Sequence, residues 1–192
     1  MSTSIVGIGG SIDPDSQSER ALRAVLAAAR RGGAGTRMFT GRALDFEPYH
    51  SGAVLPESAR DYIEAVRSAD AVVISSPGYH GTVSGLVKNA LDYLEELRTD
   101  DRPYLHGRPV GAIAVARGWQ AAVGTLGTLR SVIHSLRGWP TPLGLTVNSA
   151  VTTFDEQDVP DDPAVSGAVD LVAGQLLDFV SGSGLTRIVG ED

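Results

Sequence analysis

Two rhythms of apolar residues alternate along the chain. Short unbroken runs rich in Val, Ile and Ala predict strands at residues 4–8, 71–74, 110–116 and 143–147, with a weaker one at 36–40. Such runs suit strands buried on both faces of a parallel sheet. Between them, apolar residues recur at the three- and four-residue steps of an amphipathic helix. The stripes are Leu22, Val25, Leu26 and Ala29; Tyr62, Ile63 and Val66; Val87, Ala90, Leu91 and Leu94; Leu129, Val132, Ile133 and Leu136; and Val169, Val172, Leu176 and Val180. Five strand patterns alternating with five helical ones predict an α/β fold, a three-layer sandwich with a single domain over residues 1–192. No linker or repeat divides the chain, and residues 181–192 are expected to form a tail.

Caps and breakers set the boundaries. Ser18 is the expected N-cap of the first helix, which Arg30-Arg31 and Gly32-Gly33 end. Ser84 and Thr82 compete to cap the helix after residues 71–74. Pro77 is expected to stop the strand before it, having no N–H for the ladder. Residues 41–56 read as surface loop and 95–102 as a solvated charged stretch. The acidic stretch 148–163 misses the spacing of a calcium loop and also reads as solvated.

Polar chemistry collects after the first, third and fourth strand patterns. Ser11, Asp13, Ser16, Gln17 and Ser18 lie in the first of these loops or at the helix start that follows it. Hydroxyls beside free N–H groups at a helix start form an anion nest, although the serines alone would also serve as caps. Pro77, Gly78, Tyr79, His80 and Gly81 form the second loop, and Arg117, Gly118 and Trp119 the third. Trp119 either covers a ligand or packs in a core or against a second copy. Better-known motifs fail on spacing. A G-x-G-x-x-G loop needs Gly where Ile12 stands, no G-K-[ST] is present, and Gly81-Thr82-Val83-Ser84-Gly85 is not G-x-S-x-G.

Composition narrows the classes. A net charge of −7 argues against a nucleic-acid surface, which needs a basic face. With no Cys there are no disulfides, thiolate nucleophiles or cysteine-ligated metals, and His50, His80, His106 and His134 lack metal spacing, so no metal site is expected. No apolar run is expected to reach a membrane span, and the opening MSTSIVGIGG lacks the basic region of a signal peptide. A cytoplasmic protein is the expectation.

One stretch resembles a known family. Pro77-Gly78-Tyr79-His80-Gly81-Thr82, followed by Gly85-Leu86-Val87-Lys88-Asn89-Ala90-Leu91-Asp92-Tyr93-Leu94, resembles the P-E-Y-N-G-S…G-x-L-K-N-A-I-D-W-L signature of the NAD(P)H-dependent FMN reductases. Gly10-Ser11 resembles the start of that family's phosphate loop. The resemblance covers about residues 4 to 147. It implies a flavodoxin-like sandwich with a five-stranded parallel sheet of order 2-1-3-4-5, whose ligand loops meet at the switch point between strands one and three. It implies FMN as cofactor and NADPH or NADH as hydride donor, with free flavin or another small acceptor reduced in turn. A quinone, azo or nitro reductase, or an electron carrier without enzymatic turnover, are the alternatives. It also implies a homodimer, docked here through Trp139 and Tyr93, and a flavin-dependent monooxygenase as partner.

The chain departs from the family pattern at Gly78 for Glu, at His80 for Asn and at Asp13 for Arg. Arg20 or Arg117 is expected to supply the charge that Asp13 does not. Because flavin carries the redox chemistry, no side chain is assigned as general acid or base.

Overall fold

The computed structural model describes residues 3–183. In chain order the elements are β1 (Ser4–Gly9), α1 (Gln17–Arg31), β2 (Gly35–Thr40), α2 (Glu57–Ser68), β3 (Ala71–Pro77), α3 (Gly85–Asp92), β4 (Pro109–Ala116), α4 (Trp119–Ser135), β5 (Trp139–Pro140), β6 (Leu145–Asn148) and α5 (Pro163–Ser183). All strands pair in parallel in the order β2-β1-β3-β4-β5, with β6 also beside β4. This is the expected 2-1-3-4-5 sheet, with its fifth position shared by two short strands. Trp139 and Pro140 pair with Pro109 and Val110, and Leu145–Asn148 pairs with the far half of β4. Pro142 has no N–H to donate, and the Thr141 hydroxyl turns back onto the Leu143 carbonyl at 2.7 Å, so the ladder breaks between them.

The side-chain period of two divides β3 between the layers. Val72 and Ile74 face a core built with α2, α3 and α4, while Ala71 and Val73 face α1 and α5. The predicted helical stripes supply both cores, with Tyr62, Val87, Leu94, Leu129, Val172 and Leu176 fully buried.

Several boundaries differ from the sequence reading. Pro77 stays in the ladder opposite Val115: pairing with β1 ends at Ser75, and the N–H that reaches the Val115 carbonyl is that of Gly78, so no ladder bond is lost. Ser16, not Ser18, caps α1: its hydroxyl accepts from the Glu19 N–H at 3.3 Å, while Ser18 lies inside the helix and is buried. Ser84 caps α3 by accepting from Val87. Helix α4 starts at Trp119, which moves Trp119 and Gln120 from loop to first turn.

The segment 41–56 is not plain surface. It contains a 3-10 turn at Gly41–Leu44, and Leu44 and Phe46 are buried. Phe46 packs on both Tyr62 and Tyr93, which leaves Tyr93 only 4% exposed and unavailable to a second copy. The charged stretch 95–102 is tied in as well, with Leu97 buried, Glu96 accepting from the Tyr49 hydroxyl and Asp100 from Arg67.

Helix α5 runs on through Ser183, past the start of the expected tail, and the rest of that expectation lies outside the described residues. Its span Pro163–Gly182 is long and apolar enough to cross a membrane by length and composition, against the sequence expectation. Its Val165, Val169, Val172 and Leu176 are instead buried against the sheet and α1.

Candidate functional site

The chain leaves β1 through a backbone that only glycine fits. Gly9 has φ +148°, and a Cβ there would lie 1.9 Å from the Ser75 carbonyl oxygen. That approach lets the Gly10 N–H donate to the same carbonyl at 3.1 Å, while the Ser75 hydroxyl donates to the Ser18 carbonyl at 2.8 Å. The loop after β1 is therefore pinned to β3 at two points.

The first turn of α1 opens beside this pin. The N–H groups of Gln17 and Ser18 precede any intrahelical acceptor, and the helix dipole places partial positive charge there. The Ser16 and Ser18 hydroxyls lie 3.2 Å apart, and Gln17 carries a buried side-chain oxygen with no hydrogen-bond partner. Ser11, earlier in the same loop, is also buried; its hydroxyl accepts from the Asp13 N–H and lies 3.4 Å from both the Asp13 carboxylate and the Tyr79 hydroxyl. Asp13 thus faces the nest instead of turning away. A helix start with open N–H donors and hydroxyls fits an anionic group such as phosphate, whereas the Gln17 oxygen is an acceptor and adds nothing to that fit.

The β3 loop is a tight hairpin tip. His80 and Gly81 both have positive φ, +53° and +83°, and the Thr82 N–H donates to the Tyr79 carbonyl at 3.2 Å. This is the pattern of a type I′ turn, which favours Asn-Gly. His is among the residues that tolerate left-handed backbone, so His80 in place of Asn keeps the turn. The Gly78 N–H is already spent on the Val115 carbonyl at 2.8 Å, leaving the N–H groups of His80 and Gly81 without an acceptor among the described residues. A Cβ on Gly78 would lie 2.7 Å from the Thr125 hydroxyl oxygen, so the departure at this position has a steric reason on α4.

The three loops meet. Ser11 touches Tyr79, and Gly78 sits against Ala116, Ala121 and Thr125 at the start of α4. Tyr79 and Trp119 are each 52% exposed, and Arg117 is exposed with no ion pair among the described residues. Gly118 is the extended N-cap residue of α4. Pro77 sits at the strand end and only frames the loop.

Not every expected residue joins the site. Ser18 is buried within the first turn, its hydroxyl 3.2 Å from that of Ser16. Arg20 turns away from the nest and donates to the Asp155 carbonyl at 2.7 Å, which removes it as the phosphate's cation. Thr125 is the residue that sequence reasoning missed: it is fully buried and its hydroxyl is unpartnered, yet a Thr within a helix gives no signal in sequence. Among the described residues no cluster suits a metal ion.

Comparison with known proteins places the chain in a family. Residues 3–152 match the family model for NADPH-dependent FMN reductase. An FMN-dependent NADPH-azoreductase from Staphylococcus haemolyticus is 32% identical over 126 residues, 65% of this chain and 63% of that protein. One from Staphylococcus aureus is 32% identical over 101 residues, 53% of this chain and 47% of that protein. The chain thus spans less than two thirds of the length of these curated relatives. Among solved structures, the flavoenzyme FerB, an NAD(P)H:(acceptor) oxidoreductase from Paracoccus denitrificans, superposes with TM-score 0.78 at 18% identity, covering 94% of this chain and 98% of that one. The apo form of the NADH:FMN oxidoreductase EMOB gives 0.70 at 22%, covering 91% and 90%. These last two likenesses establish the flavodoxin-like fold. With the family model matched over more than three quarters of its length, this chain belongs to the NADPH-dependent FMN reductase family.

Proposed function

We propose that this chain is an NAD(P)H-dependent flavin reductase that holds FMN across the loops after β1, β3 and β4. The observation that carries the reading is the contact of Ser11 with Tyr79, which joins the loop that leads from β1 into the open start of α1 to a hairpin tip with free N–H groups. In this arrangement Ser11, Ser16 and the first-turn N–H groups of α1 hold the phosphate. The Ser11 hydroxyl, which now donates to the Asp13 carboxylate, would donate to the phosphate instead, and the nearby carboxylate would weaken binding. Tyr79 and Trp119 offer aromatic faces to the ring, and the N–H groups of His80 and Gly81 favour negative charge at its edge. Arg117 is the cation free to meet a nucleotide phosphate. When bound, FMN accepts hydride from the nicotinamide and passes the electrons on, so the side chains are left to bind, orient and exclude water.

The acceptor is free flavin or another small molecule, and a flavin-dependent monooxygenase would draw on reduced flavin. The azoreductase names of the curated relatives favour azo compounds as a second class of acceptor. A homodimer in the cytoplasm completes the reading. Its support is Trp139, 60% exposed and 6.3 Å from the ring of the half-exposed Phe179. The test is NADPH consumption by FMN-loaded protein, first with free FMN and then with an azo dye. Turnover with either supports the reductase. FMN binding without NADPH consumption would make the chain an electron carrier.

A further inference from the structure

The phosphate loop contains a residue in a costly backbone conformation, and a distant loop holds it there. Asp15, directly before the Ser16 cap, has φ +55°, in the left-handed region that L side chains disfavour. Two arginines of α1 hold it: Arg20 Nε donates to its carbonyl at 3.2 Å, and Arg23 Nη2 donates to its carboxylate at 3.0 Å. Both arginines are anchored on the connection between β6 and α5. Arg23 makes a bidentate pair with Asp158 at 2.7 and 3.0 Å, and Arg20 donates to the Asp155 carbonyl at 2.7 Å.

The anchor is itself tightly built. The Asp155 carboxylate accepts from the N–H groups of Gln157 and Val159, and the Asp158 N–H donates to the Asp155 carbonyl at 3.0 Å. Side-chain exposures of 24% for Arg23 and 17% for Asp158 place the pair out of the reach of full solvent screening. The fork geometry of Arg matches a carboxylate through two parallel bonds, which fixes direction as well as distance.

We propose that Asp158 is a positioning residue for the phosphate loop: through Arg23 and Arg20 it fixes Asp15, and so sets the N–H groups of the α1 first turn that receive the FMN phosphate. This rests on the reading that the loop after β1 holds that phosphate. It assigns a function to the acidic connection, whose Asp158 lies 135 residues beyond Arg23 in sequence, that its composition alone does not suggest. It also explains why two arginines so near the nest do not point into it: they order the donors instead of contacting the anion.

The test compares FMN with riboflavin, which lacks the phosphate, by fluorescence titration of wild type, Asp158→Asn, Asp158→Glu and Arg23→Lys. Asp158→Asn is expected to weaken FMN at least fivefold and leave riboflavin unchanged, with partial recovery in Asp158→Glu. Arg23→Lys, which cannot fork, should behave like Asp158→Asn and replaces it if that variant does not fold. Unchanged or tighter FMN binding in these variants overturns the proposal, as does an equal loss for both flavins. Hydrogen exchange of the ligand-free protein gives a separate readout: the amides of Glu19 and Arg20, which donate to the Ser16 hydroxyl and carbonyl, should exchange faster in Asp158→Asn, and unchanged rates overturn the clamp itself. A wild type that binds both flavins equally would instead sink the phosphate reading while the exchange result still decides the clamp.

Discussion

Arg108 and Arg23 are both withdrawn from solvent, at opposite ends of the sheet and by opposite means. Arg108 precedes β4 at the amino end and is 1% exposed. It has no carboxylate partner among the described residues and donates to the carbonyls of Arg67, Ala69 and Tyr104 at 2.6, 2.9 and 2.8 Å. Arg67 and Ala69 end α2, where the helix dipole is negative, so a cation belongs there. Burial, with repulsion from Arg102, pulls the Arg108 pKa down to about 10. At the carboxyl end, Arg23 is surrounded by Asp158, Glu19 and Asp15, and the hydrogen bond it donates to Asp158 leads the effects that raise its pKa.

The amino end is complete and the carboxyl end is not. Arg108 finds a carbonyl for each nitrogen of its fork. The buried side-chain oxygens left without partners, on Gln17, Thr125 and Thr152, all lie on elements that surround the carboxyl ends of the strands. Left-handed backbone does not separate the two ends, since Tyr104 and Arg137 adopt it at the amino end as Asp15 and His80 do at the other. Unmatched polar atoms separate them; exposed aromatics do not, since Trp139 beside Arg108 at the amino end is 60% exposed. A buried polar group costs stability unless something completes it, so the incomplete end is the one shaped for a ligand.

Arg108→Met breaks the comparison most severely. It orphans the carbonyls of Arg67, Ala69 and Tyr104 and is expected to cost about 3 kcal/mol or more in chemical denaturation. FMN affinity of the folded fraction should not change; a loss there would mean that the two ends are coupled.

Gly78→Glu comes next. Its Cβ meets the Thr125 hydroxyl at 2.7 Å, and overpacking of that kind costs roughly 1–3 kcal/mol. Thr125→Ala should recover part of the loss, with a coupling of at least about 0.5 kcal/mol in a double-mutant cycle by urea unfolding. Additive costs would show that Thr125 is not the reason for the glycine.

Tyr79→Ala tests the exposed aromatics. A ring contact contributes roughly 0.5–1.5 kcal/mol, so FMN should weaken by up to about tenfold. Because Tyr79 is half exposed, ligand-free stability should stay within about 0.5 kcal/mol. Lower melting temperature with wild-type flavin affinity would make it a packing residue.

The smallest effect at neutral pH is an alkaline one, away from the site. Burial and the hydrogen bond to Glu96 raise the Tyr49 pKa from 10.0 to about 12. A folded pKa above the unfolded value means that the contribution is complete below pH 10 and is lost as pH rises through about 12. Tyr49→Phe should flatten the fall in unfolding free energy over that range. An unchanged slope would assign the fall to other groups.

Strand and helix patterns were legible because β3 and β4 are unbroken apolar runs and each helix shows one apolar stripe. The five-position sheet order came through the family resemblance and holds. What escaped the sequence depends on pairing across distance. Ser16 and Ser18 offer the same hydroxyl two residues apart, and only backbone geometry selects the cap. Tyr93 reads as a surface aromatic until Phe46 folds beneath it. Arg20 reads as a phosphate ligand until Asp155, far along the chain, takes its guanidinium. The loop residues at the site were legible as a set through motif and position. Asp158, which holds Arg23, and Thr125, which leaves no room for a side chain at position 78, carry no local signal.

The account rests on phosphate recognition by the loop after β1, and Ser11→Ala measures it most directly. Titrating the variant and wild type with FMN and with riboflavin separates phosphate from ring. A hydrogen bond to a charged group contributes about 1.5–3 kcal/mol, so FMN should weaken by roughly ten- to a hundredfold while riboflavin stays unchanged. Equal losses for the two flavins, or none for either, would contradict the account and place the phosphate elsewhere.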